Sequence, residues 1–124
     1  MIDWLKRWFG AGGEDVGPQE AVRRINQGAV LVDVREPGEF AAGHALGAVP
    51  LPLGRIRAQG AAAIDALGVV AADASEILLV CHSGVRSRTA RAVLASDARR
   101  RYVNVSGGMA AWAAAGLPMI QGRR

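Results

Sequence analysis

Ile77-Leu78-Leu79-Val80-Cys81-His82-Ser83-Gly84-Val85-Arg86-Ser87 changes character at its midpoint. Its first four residues are uninterrupted aliphatics, the composition of a strand buried on both faces of a parallel sheet. A polar, glycine-containing turn follows, and Ser87 to Ser96 is predicted as a helix burying Ala90, Val93 and Leu94. Strand, short turn and helix in succession form the repeating unit of an α/β sheet, and ligands bind such sheets beyond the carboxyl ends of the strands. Cys81 stands at that place and is the single cysteine of the chain.

The same alternation extends in both directions. Upstream, Gly17-Pro18 opens a helix with proline in its first turn; Ala21, Val22 and Ile25 form its buried stripe, and Gly28 ends it. Ala29 to Val34 is a second aliphatic strand. Pro37 to Ala42 is a short helix closed by Gly43. Ala48 to Leu51 is a brief strand whose Pro50 suits a sheet edge. Arg55 to Leu67 is predicted as one helix, weakened by Gly60. Downstream, Tyr102 to Val105 is a strand, Gly107-Gly108 a turn, and Met109 to Ala115 a last helix stopped by Gly116 and Pro118. The expected fold is α/β, with a mostly parallel sheet covered by helices on both faces.

Composition narrows the function. The chain has 124 residues, a one-domain length, and 51% are hydrophobic, enough for a packed core. No apolar run approaches the roughly 18–20 residues of a membrane span. One cysteine excludes an internal disulfide and a cysteine-rich zinc site; with only His44 and His82 beside it, no metal or cofactor is expected. The net charge of +4 invites a nucleic-acid reading. The basic residues are dispersed, however, and the Arg99-Arg100-Arg101 triplet reads as a solvated face, so no nucleic-acid partner is expected.

Residues 1–14 form an N-terminal segment distinct from the domain at 15–124. Ile2, Leu5 and Phe9 recur at helical spacing with Trp4 and Trp8 beside them, and Gly10 to Gly13 reads as a hinge. Residues 1–10 fold back on the domain, or they dock on a membrane surface or a partner. Lys6 and Arg7 interrupt the apolar stretch, so it is no secretory signal, and a cytoplasmic location is expected.

The turn from Cys81 to Ser87 carries the chemistry. A tight curl before a helix directs successive backbone N–H groups inward, Gly84 permits the positive φ this needs, and the helix start adds positive potential. Arg86 contributes a planar cation. A thiol in such a nest has a depressed pKa, and the thiolate is the nucleophile. A lone cysteine at a strand end is often a small buried hydrophobe, but a polar turn with glycine makes a poor core and a good pocket. A Cys-His-Asp triad is disfavoured, because His82 is adjacent in sequence and poorly placed as a base for Cys81.

Four segments in order resemble the rhodanese family in its single-domain sulfurtransferase form. They are Asp33-Val34-Arg35-Glu36-Pro37-Gly38-Glu39-Phe40, Gly43-His44-Ala45-Leu46-Gly47-Ala48, the Cys81–Ser87 loop, and Gly107-Gly108-Met109-Ala110-Ala111-Trp112 followed by Ala115-Gly116-Leu117-Pro118. The resemblance implies a central five-stranded parallel sheet. It also implies that Cys81 takes the outer sulfur of a small anionic donor such as thiosulfate, becomes a persulfide, and passes the sulfur to cyanide or to a thiol such as glutathione or a thioredoxin-like protein. His82, Ser83, Gly84, Val85, Arg86 and Ser87 would bind the substrate, with Arg86 assisting the donor. Asp33 and Arg35 are expected as a structural ion pair or cap near the site, and His44 as satisfying backbone groups under the loop. Glu39 is assigned to a solvated helix face and Trp112 to the core.

Four residues separate Cys81 from Arg86. Related cell-cycle phosphatases and arsenate reductases use a loop one residue longer, so the length here favours sulfur over phosphate. A non-catalytic rhodanese-like module that binds a partner is the alternative; retention of Cys81 and Arg86 argues against it.

Overall fold

Side chains of the central strands alternate between two hydrophobic cores, and that alternation decides which residues meet at the site. The computed structural model describes residues 13–68 and 74–122. In chain order the elements are β1 (Asp15–Val16), α1 (Pro18–Ile25), β2 (Val30–Asp33), α2 (Pro37–Ala42), β3 (His44–Ala45), β4 (Val49–Pro50), α3 (Leu53–Gln59) and α4 (Ala61–Asp65). They continue with β5 (Glu76–Val80), α5 (Val85–Leu94), β6 (Arg101–Val105), α6 (Gly108–Ala114) and β7 (Met119–Ile120).

Five strands form one sheet in the order β1-β6-β5-β2-β4, every pairing parallel. A small antiparallel pair, β3 with β7, stands apart from it. β5 and β2 lie inside the sheet and are buried on both faces, as their aliphatic runs require. β4, with Pro50, is an edge strand.

Val30, Val32, Ile77, Leu79, Cys81 and Tyr102 pack on one side with Leu53 and Ile56 of α3, Ile64 of α4, and Ala90 and Leu94 of α5. Leu31, Leu78, Val80, Val103 and Val105 pack on the other with Ala21 of α1, Phe40 of α2, and Met109 and Trp112 of α6. Period two therefore delivers Cys81 to the α5 side. The same parity carries Asn104 to that side of β6, in register with Leu79.

Several expectations need correction. The helix predicted over 55–67 is two helices, because Gly60 sits at φ +59 and ψ −141, a conformation open to glycine and costly to other residues. The short strands β1, β3 and β7 have too few residues to show a period. Helix α5 begins at Val85, two residues before the predicted start, so only His82, Ser83 and Gly84 span from Cys81 to the helix. The arginine triplet is a solvated face at Arg99 and Arg101, which are exposed, but not at Arg100. Arg100 is buried and paired with Asp97 at 2.9 Å and with Asp65, Arg99 bonds Asp65 at 3.1 Å, and Arg101 bonds Glu14 at 2.5 Å. The amphipathic reading of residues 1–10 falls outside the described residues.

Candidate active site

Cys81 follows the last residue of β5 and is 1% exposed. Gly84 turns the chain at φ +104 and caps α5, whose first turn faces back toward the sulfur. The Gly84 N–H donates to Cys81 Sγ at 3.0 Å, and the Ser87 hydroxyl lies 3.4 Å from the same atom. Burial pushes the thiol pKa up. The Ser87 hydroxyl and the backbone N–H groups of Ser87, Gly84 and Ser83 pull it down, and they prevail: the pKa lies below the ordinary cysteine value. Lowering pH through that value protonates the thiolate, and raising pH through it restores the thiolate.

Helix α6 explains why the loop presents N–H groups rather than carbonyls to the sulfur. The Cys81 and His82 carbonyls accept from the N–H groups of Met109 and Ala110 at 2.7 and 3.0 Å. Oxygens held by α6 cannot turn toward Sγ. The approach is so close that a Cβ on Gly108 would sit 2.3 Å from the Cys81 oxygen and 2.5 Å from the His82 oxygen.

Arg86 is not a free cation. Its Nη1 and Nη2 bond the two oxygens of Glu39 at 2.6 and 2.8 Å, a bidentate pair joining α5 to α2. The Arg86 hydrogen bonds pull the Glu39 carboxyl down to about 2, so the pair stays charged throughout the neutral and mildly acidic range. The expectation of a solvated Glu39 is corrected: the residue is only partly exposed, and both its carboxylate oxygens are engaged by Arg86.

Asp33 and Arg35 form a buried ion pair at 2.8 Å, and Arg35 also donates to the Gly43 carbonyl at 2.8 Å. His44 is buried, stacks on Phe40 at 3.6 Å between ring centroids, and its Nδ1 lies 2.8 Å from the Phe40 carbonyl. It satisfies a backbone group at the end of α2 rather than one of the cysteine loop. Trp112 lies in the core, with its indole N–H donating to Pro118 O at 3.2 Å.

Beside the loop opens a cavity of about 300 Å³ walled by Arg35, Glu39, His82, Met109 and Met119. His82 is exposed at its edge, and Ser83 and Val85 are exposed on either side of Gly84. A broader apolar groove of about 560 Å³, lined by Pro37, Phe40, Pro50 and Pro52, opens on another side of Arg35 and contains none of the cysteine loop.

Residues 17–115 match the family profile of the rhodanese-like domain. The chain belongs to that family. A protein of Synechocystis, uncharacterized protein slr1261, is 34% identical over 98 residues, covering 79% of this chain; the chain spans 50% of that relative's length. A sulfurtransferase of Allochromatium vinosum is 34% identical over 91 residues, 73% of this chain and 78% of its own. The crystal structure of a thiosulfate sulfurtransferase from Pseudomonas aeruginosa superposes with a TM-score of 0.74 at 26% identity, covering 89% of this chain and 20% of that one. The five-stranded parallel sheet is thus the rhodanese sheet, and Cys81 lies at the carboxyl end of its middle strand.

The rhodanese loop gathers Cys81, Ser83, Gly84 and Ser87 around the sulfur, with Arg86 one step away on Glu39. His82 and Val85 form the exposed rim. Three contributors escaped the sequence reading. Glu39 is indistinguishable in sequence from any acidic residue in a helix's first turn. Gly108 was visible only as half of a turn. Asn104 carried a signal: an uncharged polar residue inside the strand Tyr102-Val103-Asn104-Val105 must find partners when buried.

Proposed function

We propose that the protein is a sulfurtransferase in which Cys81 carries the moving sulfur as a persulfide. The observation that supports this most directly is the Gly84 N–H donated to Sγ at 3.0 Å from a loop whose carbonyls are held by α6. The Cys81 thiolate attacks the outer sulfur of thiosulfate. A new S–S bond forms, the bond to the sulfonate breaks, and its electron pair leaves with sulfite. The Cys81 persulfide then carries one negative charge on its outer sulfur, where the loop N–H groups and the positive end of α5 lower its energy. An acceptor thiolate attacks that sulfur and departs as a persulfide, returning the Cys81 thiolate.

The outer sulfur stands one S–S bond, about 2 Å, beyond the buried Sγ, so donor and acceptor need reach only that far. The residues of this chain hold no second thiol to resolve the persulfide. The acceptor is therefore a separate thiol: glutathione, or an exposed cysteine of a thioredoxin-like protein. A cytoplasmic, reducing setting keeps Cys81 available as the thiol.

Arg86 supplies the charge that attracts the dianionic donor, and Glu39 competes for it. Arg86→Ala raises the KM for thiosulfate by about tenfold, the loss of one charge-assisted contact, with a smaller change in kcat. Glu39→Gln releases the guanidinium and lowers that KM by roughly threefold, since a half-exposed ion pair is weak and yields to a better anion. Steady-state thiocyanate formation from thiosulfate and cyanide reads both variants. Unchanged KM values in both would remove Arg86 from the donor site, and absence of thiocyanate from the folded wild type would sink the sulfurtransferase reading.

A further inference from the structure

The Ser87 hydroxyl has one hydrogen and two claimants. Its Oγ lies 3.4 Å from Cys81 Sγ and within hydrogen-bonding distance of Asn104 Oδ1. A thiolate and an amide oxygen both only accept, so a single O–H serves one of them. At the far end of the same amide, Asn104 Nδ2 is buried and has no hydrogen-bond partner among the described residues. It is one of three donors grouped around a single point beside Gly84. The point that a Cβ on Gly84 would occupy is 3.5 Å from Gly107 N, 3.7 Å from Arg88 Nη1 and 3.8 Å from Asn104 Nδ2. Three donors thus converge on one spot beside the loop.

Turning the carboxamide over removes the conflict at Ser87 and leaves no donor unpartnered at the other end, and the two ends are close enough in shape for the turn to move nothing else. Oδ1 then takes the place of Nδ2 beside Gly84, around the same point as Gly107 N and Arg88 Nη1. Nδ2 donates to Ser87 Oγ, and the Ser87 O–H is left for Sγ alone.

We propose that Asn104 is a positioning residue for the reactive sulfur: with Nδ2 toward Ser87, its amide aims the Ser87 O–H at the Cys81 thiolate. Asn104 touches neither sulfur nor substrate and acts only through Ser87. The same O–H serves both half-reactions. It stabilises the attacking thiolate. It also stabilises the departing one, when an acceptor takes the outer sulfur and the S–S electron pair returns to Sγ; a leaving thiolate of lower pKa departs faster.

This inference rests on Cys81 as the nucleophile of the proposed sulfur transfer, and its test uses no sulfur donor. The charged groups around the sulfur are Arg86 with Glu39, Arg35 with Asp33, Arg88, and the ionisable His82. All are retained in the variants, so any shift is read against a constant surrounding field. Iodoacetamide alkylation of Cys81 is followed against pH in the wild type, Asn104→Ala, Ser87→Ala and the double variant, each confirmed folded by its thermal melt. The midpoint of the alkylation profile rises by about one pH unit in each single variant, and the double variant matches Ser87→Ala alone. An unmoved midpoint in Asn104→Ala, or an equal further rise when Asn104 is removed from the Ser87→Ala background, overturns the proposal.

Should Asn104→Ala not fold, the wild type answers by NMR above the thiol pKa. Cross-peaks from the Asn104 side-chain NH2 to the Ser87 β-protons support the relay, whereas cross-peaks only to the Gly107 amide and Gly84 α-protons contradict it. A protein that passes these tests but moves no sulfur loses the sulfurtransferase reading and keeps the relay.

Discussion

Cys81→Ser abolishes sulfur transfer and leaves the fold intact. A hydroxyl stays protonated at neutral pH and cannot form a persulfide, so the variant loses at least roughly a thousandfold in kcat/KM, as expected when a covalent nucleophile is removed. The serine oxygen still accepts the Gly84 N–H and fits the space of the buried thiol. Its melting temperature stays within about 5 °C of wild type, corresponding to roughly 1 kcal/mol for a domain of this size. Thiocyanate formation and a thermal melt on one preparation check both halves. Activity above about one-tenth of wild type would place the chemistry on another group.

Gly108→Ala has the second largest effect, and it acts on stability and activity together. Gly108 has φ +57, where a side chain costs about 1 kcal/mol, and its new Cβ would meet the Cys81 oxygen at 2.3 Å. Either α6 withdraws or the cysteine loop shifts. Either movement loosens the bonds from Met109 and Ala110 to the loop carbonyls. Overpacking of this kind adds about 1–3 kcal/mol, for a total near 2–4 kcal/mol. Gly116→Ala is the control. Gly116 has φ +70, but among the described residues nothing lies within 4 Å of the Cβ it would gain, so it bears only the backbone cost. Equal melting temperatures for the two variants would mean that α6 does not brace the loop.

The parts of the fold readable from sequence were those where one residue type repeats or punctuates. The runs Ala29 to Val34 and Ile77 to Val80 announced buried parallel strands, and Pro37 with Gly43 bracketed α2 to the residue. Cys81, Gly84 and Ser87 were legible because thiol, positive-φ turn and helix start adjoin in sequence. What stayed hidden depends on tertiary approach. Glu39 meets Arg86 across 47 positions, between helices that pack on opposite faces of the sheet, and no local pattern encodes that meeting. The break at Gly60 turned on whether the helix could absorb one glycine, which packing decided. Asn104 reaches Ser87 only because β6 lies beside β5 in the sheet with matching parity. Arg100 alone of the arginine triplet departed from a solvated face: besides nearby Asp97 it meets Asp65, which lies 35 positions away in sequence.

All of these contacts serve one claim, that Cys81 holds the sulfur in transit. The direct measurement is the intact mass of the protein after incubation with thiosulfate and removal of excess reagent, followed by peptide mapping. The account predicts a gain of about 32 Da, the mass of one sulfur, carried by the Cys81 peptide, absent from Cys81→Ser, stable over hours, and discharged on adding cyanide or glutathione. A folded wild-type protein with an alkylatable Cys81 that gains no mass from thiosulfate or from a persulfide donor would contradict it, and would leave a rhodanese domain that binds without transferring.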